Sequence, residues 1–466
     1  MPETGKKYST SHNKGFLGLK TIRELNRDPI VHLMKNASRG DIVSFNVMGQ
    51  LMIQINHPDL IRHVLMDNHK NYRKTKVYIR FEPIIGKGLF TSDGEKWKRD
   101  RQKIQPMFKR EQLEGYYFTV ISEVAEKYKH RWIAFAENSD SPVDLTKEAV
   151  AMTVEIIVKL ACGKDNLDDD MIQAIHQGYD VFTEYLKPLR TFPKIDMRKV
   201  FHRPEYIEFN RQYIKLSGIF KGLIEQHKRG ELSDKLNMLA LLLAAQKEDP
   251  THFSDQDILD QIFSMIFGGF ETTSALIQWI YYVLDERPDI EKKMREEIIR
   301  HAPCVLNTDS SGLTYDAIEK MEYIGAVLKE TMRLYPPIWV SSREPIDDDY
   351  FGDFKVKRGT TILLSQITMH RHSRWWEKPN AFIPERFLPE NERHIDEGIY
   401  FPFSHGSRKC IGYRLAEMEG KIIIAKLLPF FNVTLLNAWN NGSNPSITLK
   451  PKSPLKMTIS RAQTGA

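Results

Sequence analysis

One long helical pattern constrains the fold of this chain more than any other sequence feature. It begins at Ser254-Asp255, which fits a helix N-cap, and continues to about Asp285, just before Pro288. At 1.5 Å per residue, such a helix is roughly 45 Å long and crosses a whole domain. Its stretch Ile262–Ile280 comes nearest to a membrane span, but it contains glycines, threonines and a glutamate. We therefore predict a buried helix of a water-soluble fold and no transmembrane segment.

Helical periodicity also dominates the rest of the chain. From about Glu95 to Leu428, apolar residues mostly recur every three or four positions, with breaks at prolines. Near the N-terminus, apolar and polar residues alternate on both sides of Gly49-Gln50, which predicts a β-hairpin. No linker or internal repeat divides the sequence. We expect a mainly α fold with a small β region, in a single domain over residues 1–466.

Composition excludes several classes of protein. The three cysteines, Cys162, Cys304 and Cys410, are scattered without a CxxC pair, so neither a disulfide framework nor a zinc knuckle is supported. The first thirty residues are polar and basic and lack the apolar core of a signal peptide. We expect a cytoplasmic protein, and peripheral contact with a membrane stays an open alternative.

Basic residues concentrate around Trp97, although the formal net charge is only +6. A solvated helix face and a docking surface for an acidic partner both explain the cluster. No nucleic-acid-binding signature accompanies it, so we do not expect nucleic acid as a partner. The basic residues of the cluster are Lys96, Lys98, Arg99, Arg101, Lys103, Lys109 and Arg110.

Cys410 carries the strongest chemical signal. An isolated cysteine is most often a small buried hydrophobe, but this one directly precedes a predicted helix, whose N-terminus favours a thiolate. Gly406 and Gly412 would leave room for a planar group, and Arg408 offers a forked donor to a carboxylate. A sulfur ligand, a close backbone and a cation together describe a haem cradle.

The run from Phe403 to Gly412 resembles the cysteine-loop signature of cytochromes P-450, matching its Phe, Gly, Arg and Cys positions. Two upstream motifs are also similar to those of the family. Glu330 and Arg333 resemble its Glu-Arg pair, and the run containing Arg386 resembles its Pro-Glu-Arg-Phe partner. By that resemblance, these three residues form a buried network that locks the cysteine loop in place.

The resemblance also assigns cofactor contacts. Trp97 and Arg101 match the family's Trp-x-x-x-Arg helix, and Arg343 matches a further position that contacts a haem propionate. For Arg343, an ordinary surface arginine is the alternative. The full set implied as haem-binding is Trp97, Arg101, Gly269, Arg343, Phe403, Arg408 and Gly412, with Cys410 as the iron ligand.

The oxygen-activating pattern of the family corresponds to the run Gly268-Gly269-Phe270-Glu271-Thr272. Dioxygen cleavage needs ordered protons, which an acid and a hydroxyl can relay. The resemblance therefore implies that Glu271 and Thr272 are catalytic. In the alternative, Glu271 is a satisfied polar group and Thr272 bonds back to its own helix.

Membership would imply one haem b, held between the long helix and the helix after the cysteine loop. It would also imply insertion of one atom of dioxygen into a substrate, using two electrons from NAD(P)H. A soluble, bacterial-type member without a membrane anchor or fused reductase is expected, so electrons would arrive through a separate ferredoxin, flavodoxin or flavin reductase. A peroxide-using or isomerising haem-thiolate enzyme, a non-enzymatic haem-binding sensor and a haem-free interaction protein are the alternatives.

Positions carried over from the family suggest an apolar, largely aromatic pocket. A lipophilic substrate follows, with a fatty acid or terpenoid favoured. The expected lining residues are Phe81, Ile84, Phe90, Phe263, Phe267, Ile338, Trp339, Val340 and Leu455.

Overall fold

The computed structural model describes most of the chain. It covers residues 7–13, 18–137, 141–163, 167–186, 203–232, 237–251, 253–306, 312–438 and 442–462.

Helices make up most of the described chain, as predicted. The longer ones are Leu19–Arg27, Pro29–Ala37, Gly94–Ile104, Phe118–Glu137, Leu145–Cys162, Asp169–Leu186, Pro204–Lys228, Met238–Glu248, Asp255–Glu286, Pro288–His301, Glu322–Leu334 and Tyr413–Leu427. Shorter α-helices are Pro58–Arg62, Glu82–Ile85, Arg110–Gln112, Tyr315–Glu319, Gln366–Met369 and Pro389–Glu392.

The strands are short and form small sheets. In chain order they are β1 (Thr10–Asn13), β2 (Ile42–Val47), β3 (Gln50–Ile55), β4 (Tyr72–Lys74), β5 (Val143–Asp144), β6 (Ser341–Pro345), β7 (Asp349–Phe351), β8 (Phe354–Val356), β9 (Thr361–Leu364), β10 (Phe431–Leu435), β11 (Ser443–Pro445), β12 (Leu449–Pro451) and β13 (Lys456–Arg461). The largest sheet has the order β1-β2-β3-β9-β6-β4. The predicted hairpin is β2-β3, turning at Met48-Gly49, where both residues have positive φ.

The helix Asp255–Glu286, called the central helix below, starts at the predicted residue. Ser254 accepts a hydrogen bond from the backbone N–H of Asp257, whose side chain accepts one from the N–H of Ser254, and these two bonds form a capping box. The central helix packs most extensively against the helix Leu145–Cys162. Between residues 258 and 281, every residue is buried except four. These four, Met265, Gly268, Gly269 and Thr272, follow the spacing i, i+3, i+4, i+7 and therefore share one side of the helix. We call them the open stripe.

The three cysteines have different environments. Cys162 ends a buried helix, and burial raises the pKa of its thiol to about 12. Cys304 is partly exposed, and Cys410 has an accessible side chain. None of the described helices is both long enough and apolar enough to span a bilayer.

Candidate active site

The Cys410 loop closes on itself before the helix Tyr413–Leu427. The backbone N–H of Cys410 donates to the carbonyl of Phe403, at 2.8 Å. Gly406 has a φ of +68°, and a Cβ added there would lie 2.0 Å from the carbonyl oxygen of Leu65. Glycine is therefore needed at 406 by the approach of a neighbouring backbone, a constraint additional to the room for a planar group that the sequence suggested. At Gly412 a Cβ would lie 3.6 Å from Phe108, an ordinary contact.

Cys410 faces space inside the protein. Its side chain is accessible, yet burial raises the pKa of its thiol above the ordinary value, while the backbone N–H of Gly412 and the charge of Arg101 act in the opposite direction. Accessible surface and dense surrounding protein occur together when a group lines an internal space. The thiol is thus placed where a ligand can reach it from the interior.

Three arginines predicted to bind the cofactor lie close to this loop or to one another, since Arg101 interacts with Cys410 and Arg343 interacts with Arg408. Arg101 donates to the carbonyl of Lys409, the residue before Cys410, at 2.8 Å. Arg343 is buried and donates to the carbonyl of Ser342, also at 2.8 Å. Arg408 contacts Asp93, and its guanidinium carbon lies 4.2 Å from the centre of the Trp97 ring.

A fourth cation, Lys74, was missed by the sequence analysis. It lies on β4, directly opposite Arg343 on β6. Burial, together with the charges of Arg408 and Arg343, holds the pKa of Lys74 well below its ordinary value. Its role depends on the register of two strands that are far apart in the sequence, and no local motif indicates it.

The three arginines fit the carboxylates of the haem that the resemblance predicts. Four basic side chains converge near Asp93, and Nη1 of Arg408 is buried without a hydrogen-bond partner in the described protein. A buried unpaired donor is costly, and an anionic group would satisfy it. With a thiol beside this excess of positive charge, the residues present suit haem.

The two glycines of the oxygen-activating pattern both belong to the open stripe, but they have different surroundings. Apart from its chain neighbours and the helix's own backbone, no described atom lies within 4 Å of a Cβ added at Gly268, whereas one at Gly269 would lie 2.7 Å from the side chain of Ile157. Gly268 therefore adjoins the open space, and Gly269 lets the central helix pack closely against Leu145–Cys162. Thr272 Oγ1 donates to the carbonyl of Gly268, at 2.9 Å, so its hydroxyl is bonded back to its own helix.

Glu271 points into a closed polar cluster. It is buried, and its Oε1 accepts a hydrogen bond from Thr448 Oγ1 at 2.8 Å. The ammonium of Lys450 lies 3.3 Å from the same oxygen, and Tyr179 also contacts this carboxylate. Thr448 and Lys450 follow Glu271 by well over a hundred residues, so sequence reasoning did not find them.

The central helix also contacts the helix after Cys410. Thr273 Oγ1 lies 3.4 Å from Oε2 of Glu419 on the helix Tyr413–Leu427. Glu419 is buried, and burial raises the pKa of its carboxyl to about 8. The two helices expected to flank the cofactor are therefore neighbours in the fold.

The Glu-Arg pair forms a buried network. Arg333 donates two hydrogen bonds to Glu330, at 2.6 and 2.8 Å, and Arg386 lies 3.6 Å from the same carboxylate. Arg333 also donates to the carbonyl of His370, and the ring Nε2 of His370 accepts from the backbone N–H of Phe401. Through His370 the network reaches the start of the cysteine loop.

Only some of the expected pocket residues keep accessible surface. Phe81, Phe90, Ile338 and Val340 are partly exposed. Phe263 is buried between other rings, with Tyr213 stacked at 5.8 Å and Phe220 edge-on at 4.8 Å. The remaining expected residues, which are buried in this structure, are Ile84, Phe267, Trp339 and Leu455.

Comparisons with known proteins agree with this geometry. Cytochrome P450 3A14 from Cavia porcellus is 30% identical over 398 residues, covering 82% of this chain and 77% of that protein. Pentalenene oxygenase from Streptomyces avermitilis is 25% identical over 412 residues, covering 88% of each chain. The solved structure titled "Crystal structure of cytochrome P450DA heme domain" superposes with a TM-score of 0.83 at 21% identity, covering 98% of both chains, which confirms the fold.

The family model described as Cytochrome P450 matches residues 16–459, nearly the whole chain. This match confirms the family resemblance that the sequence motifs indicated. Such proteins use haem and oxygen and receive electrons from a redox partner. The chain belongs to the cytochrome P450 family and is a haem-dependent monooxygenase.

Proposed function

We propose that this enzyme inserts one oxygen atom from dioxygen into a lipophilic substrate, at a haem b whose iron is bound by Cys410. Arg101, Arg343 and Arg408 would bind the haem carboxylates, with Trp97 packed beneath Arg408. When bound, the haem supplies dioxygen activation, and its thiolate ligand favours cleavage of the O–O bond.

One observation carries the proposal: the Cys410 thiol faces interior space beside a cluster of basic side chains for which, among the described residues, Asp93 is the acidic ion-pair partner. The interaction of Arg101 with Cys410 supports the same arrangement, since each affects the pKa of the other. Phe403 and Gly412 flank the thiol in the sequence, on either side of the loop. We assign both to the cofactor environment.

Proton delivery is assigned to Thr272 and Glu271. The hydroxyl of Thr272 lies on the open stripe and can donate into the open space if its bond to the Gly268 carbonyl is exchanged. Glu271 is the acid behind it, but its oxygen is bonded to Thr448 and close to Lys450. We therefore propose that Glu271 rotates away from Lys450, or acts through water, when it supplies a proton. Gly269 serves this region by bringing the helices together.

A fatty acid or a terpenoid is the favoured substrate. The accessible faces of Phe81, Phe90, Ile338 and Val340 are apolar, and such surfaces favour lipophilic ligands. Pentalenene oxygenase, a relative, is named for a terpenoid hydrocarbon. This relative supports the terpenoid class in particular.

Electrons would come from NAD(P)H through a separate ferredoxin, flavodoxin or flavin reductase. We propose that an acidic partner of this kind docks near the helix Gly94–Ile104. Lys98, Lys109 and Arg414 are exposed around the Cys410 side of the molecule, and clustered positive charge attracts acidic proteins. A cytoplasmic location suits such partners.

The absorption spectrum of the reduced protein under carbon monoxide tests the proposal. We expect a strongly red-shifted Soret band, because thiolate is the ligand, and its loss in Cys410→Ser. Turnover of a terpenoid hydrocarbon and of lauric acid should then depend on both dioxygen and a reductase. A histidine-like band in the wild type, or turnover without the reductase, would overturn the proposal.

A further inference from the structure

Gln261 is a buried glutamine on the central helix. Its side chain has no accessible surface, and both polar atoms of its amide are bonded. Oε1 accepts from the backbone N–H of Leu89, at 2.9 Å, and Nε2 donates to Oδ2 of Asp100, also at 2.9 Å. One side chain thus joins two separate parts of the fold, because an amide can accept and donate at the same time.

The first of these parts is the segment 86–93, which lies directly on the central helix. A Cβ at Gly86 would lie 2.0 Å from the carboxyl carbon of Asp260, and one at Gly88 would lie 2.4 Å from the carbonyl oxygen of the same residue. The N–H of Lys87 donates to Oδ2 of Asp260, at 2.7 Å. The segment is therefore fixed to the helix by its N–H groups, with Leu89 bound to Gln261.

The other side of the segment is held by Lys74. Its ammonium donates to the carbonyls of Leu89, Phe90 and Ser92, at 2.9, 2.8 and 3.0 Å. Lys74 lies within the cation cluster of the site, so the segment extends from the central helix to the cofactor environment. Phe90, one of the partly exposed aromatic residues, directly follows Leu89 and is itself bonded to Lys74 through its carbonyl.

The second part is the helix Gly94–Ile104, which carries Trp97 and Arg101. Asp100 on that helix is fully buried. Its Oδ2 is shared between Gln261 and the ammonium of Lys96, at 3.2 Å. If the Gln261 amide were lost, Lys96 would be the close donor that remains to Oδ2 of Asp100.

We infer that Gln261 is a positioning residue, which sets the segment carrying Phe90 in register with the helix carrying Trp97 and Arg101. This inference rests on the proposed function, because it assumes that Phe90 contacts ligands beside the haem. Gln261 itself touches neither substrate nor haem, and it acts through Leu89 and Asp100. Its expected effect is on ligands large enough to contact Phe90.

The test uses Gln261→Leu in the haem-loaded full chain, with Gln278→Leu as a matched control. Gln278 is a second buried glutamine on the same helix, and its amide bonds to Thr146 and to the carbonyl of Ser274. In Gln261→Leu we expect hydrogen exchange of the Leu89 amide to accelerate about tenfold or more, since a buried bond is lost. The dissociation constant of 4-phenylimidazole, a bulky haem ligand, should rise about tenfold, while that of imidazole changes less than about twofold.

A double variant that reverses the donor and the acceptor between residues 261 and 100 distinguishes a positioning role of Gln261 from a simple loss of packing. Gln261→Glu combined with Asp100→Asn exchanges donor and acceptor between these two residues, keeps both bonds of residue 261 and the net charge, and gives up only the contact of Lys96 with Oδ2 of Asp100. We expect this double variant to restore slow exchange at Leu89 and tight 4-phenylimidazole binding, whereas Gln261→Glu alone should not, because two carboxylates then face each other.

Three results would overturn the inference. The first is an unchanged hydrogen-exchange rate of the Leu89 amide in Gln261→Leu. The second is an equal rise in the dissociation constants of imidazole and 4-phenylimidazole. The third is that Gln278→Leu changes the exchange rate and the dissociation constants as much as Gln261→Leu does. Failure of the proposed function has a different signature, since the wild type would then lack the red-shifted carbon monoxide band. The exchange measurement at Leu89 would still decide whether Gln261 holds the segment.

Discussion

At the scale of single residues, His370 connects the buried Glu-Arg network to the cysteine loop. Its carbonyl accepts from Arg333 at 2.8 Å, and its ring nitrogen accepts from the N–H of Phe401 at 3.0 Å. The ring is fully buried, and burial lowers the pKa of His370 to about 3. A protonated ring could not accept the bond from Phe401, so the link requires the neutral form.

The pH dependence of stability should reveal this histidine. The unfolded chain takes up a proton near pH 6.5, while the folded ring remains neutral down to about pH 3, so the free energy of unfolding falls as the pH drops through that window. Between pH 6.5 and 5 the loss should be about 2 kcal/mol. His370→Gln, whose amide oxygen can accept from Phe401, should lack this part of the loss in urea unfolding. Equal losses in both proteins would contradict the assignment.

The titration of Glu419 should make the free energy of unfolding depend on pH in the opposite direction. Its folded carboxyl stays protonated up to about pH 8, whereas the unfolded one ionises near pH 4.5, so the free energy of unfolding falls as the pH rises between these values. Glu419→Gln keeps a partner for Thr273 and removes the titration. We expect the variant to match the wild type near pH 4.5 and to be more stable by about 4 kcal/mol at pH 8. Parallel stability profiles would show that Glu419 is not held protonated.

At the scale of elements, the cysteine loop depends on one close approach. Gly406 combines a positive φ with a backbone oxygen at its Cβ position, whereas Gly359 has a similar φ of +74° and no described atom within 4 Å. Gly406→Ala should cost about 2–4 kcal/mol in urea unfolding and lower the haem content. Gly359→Ala, the control, should cost about 1 kcal/mol from backbone strain alone. Similar costs for both would mean that the approach of Leu65 relaxes easily.

The elements themselves could be predicted from local patterns. The central helix, its cap at Ser254 and the β2-β3 hairpin follow from periodicity and turn chemistry, which act between near neighbours in the chain. The roles of Lys74 and Lys450 could not be predicted, because each depends on a contact with residues far away in the sequence. The same holds for Gly406, whose constraint is the backbone of Leu65.

The site residues show the same division. Cys410, Arg101, Arg343 and Arg408 were found from motifs, and the structure brings them together. For Gly269, the motif gave the position but not the reason, since its contact is with Ile157 on another helix. Buried rings such as Phe263 were expected at a pocket surface, because a sequence shows hydrophobicity but not which apolar residues pack against each other.

Charge on the molecular surface should control the rate at which a redox partner reduces the protein. Lys98 is exposed and forms no ion pair with a described residue, whereas Lys103 lies 3.1 Å from Glu248. Lys98→Glu should slow reduction by an acidic ferredoxin about fivefold at low ionic strength, with the difference vanishing at about 0.5 M salt. Lys292→Glu, an exposed lysine on Pro288–His301, is the control. Equal reduction rates for all three proteins at low salt would exclude docking at Lys98.

The three cysteines differ in their surroundings, so alkylation of the chain can show whether the cofactor is bound. An alkylating reagent needs an accessible thiolate, which Cys162 cannot offer because it is buried and its thiol has a pKa of about 12. Cys304 is partly exposed, and Cys410, whose sulfur faces the interior space, can react only while it is not bound to iron. Mass spectrometry of the alkylated protein would then count one label on loaded molecules and two on empty ones, without any spectroscopy of the haem.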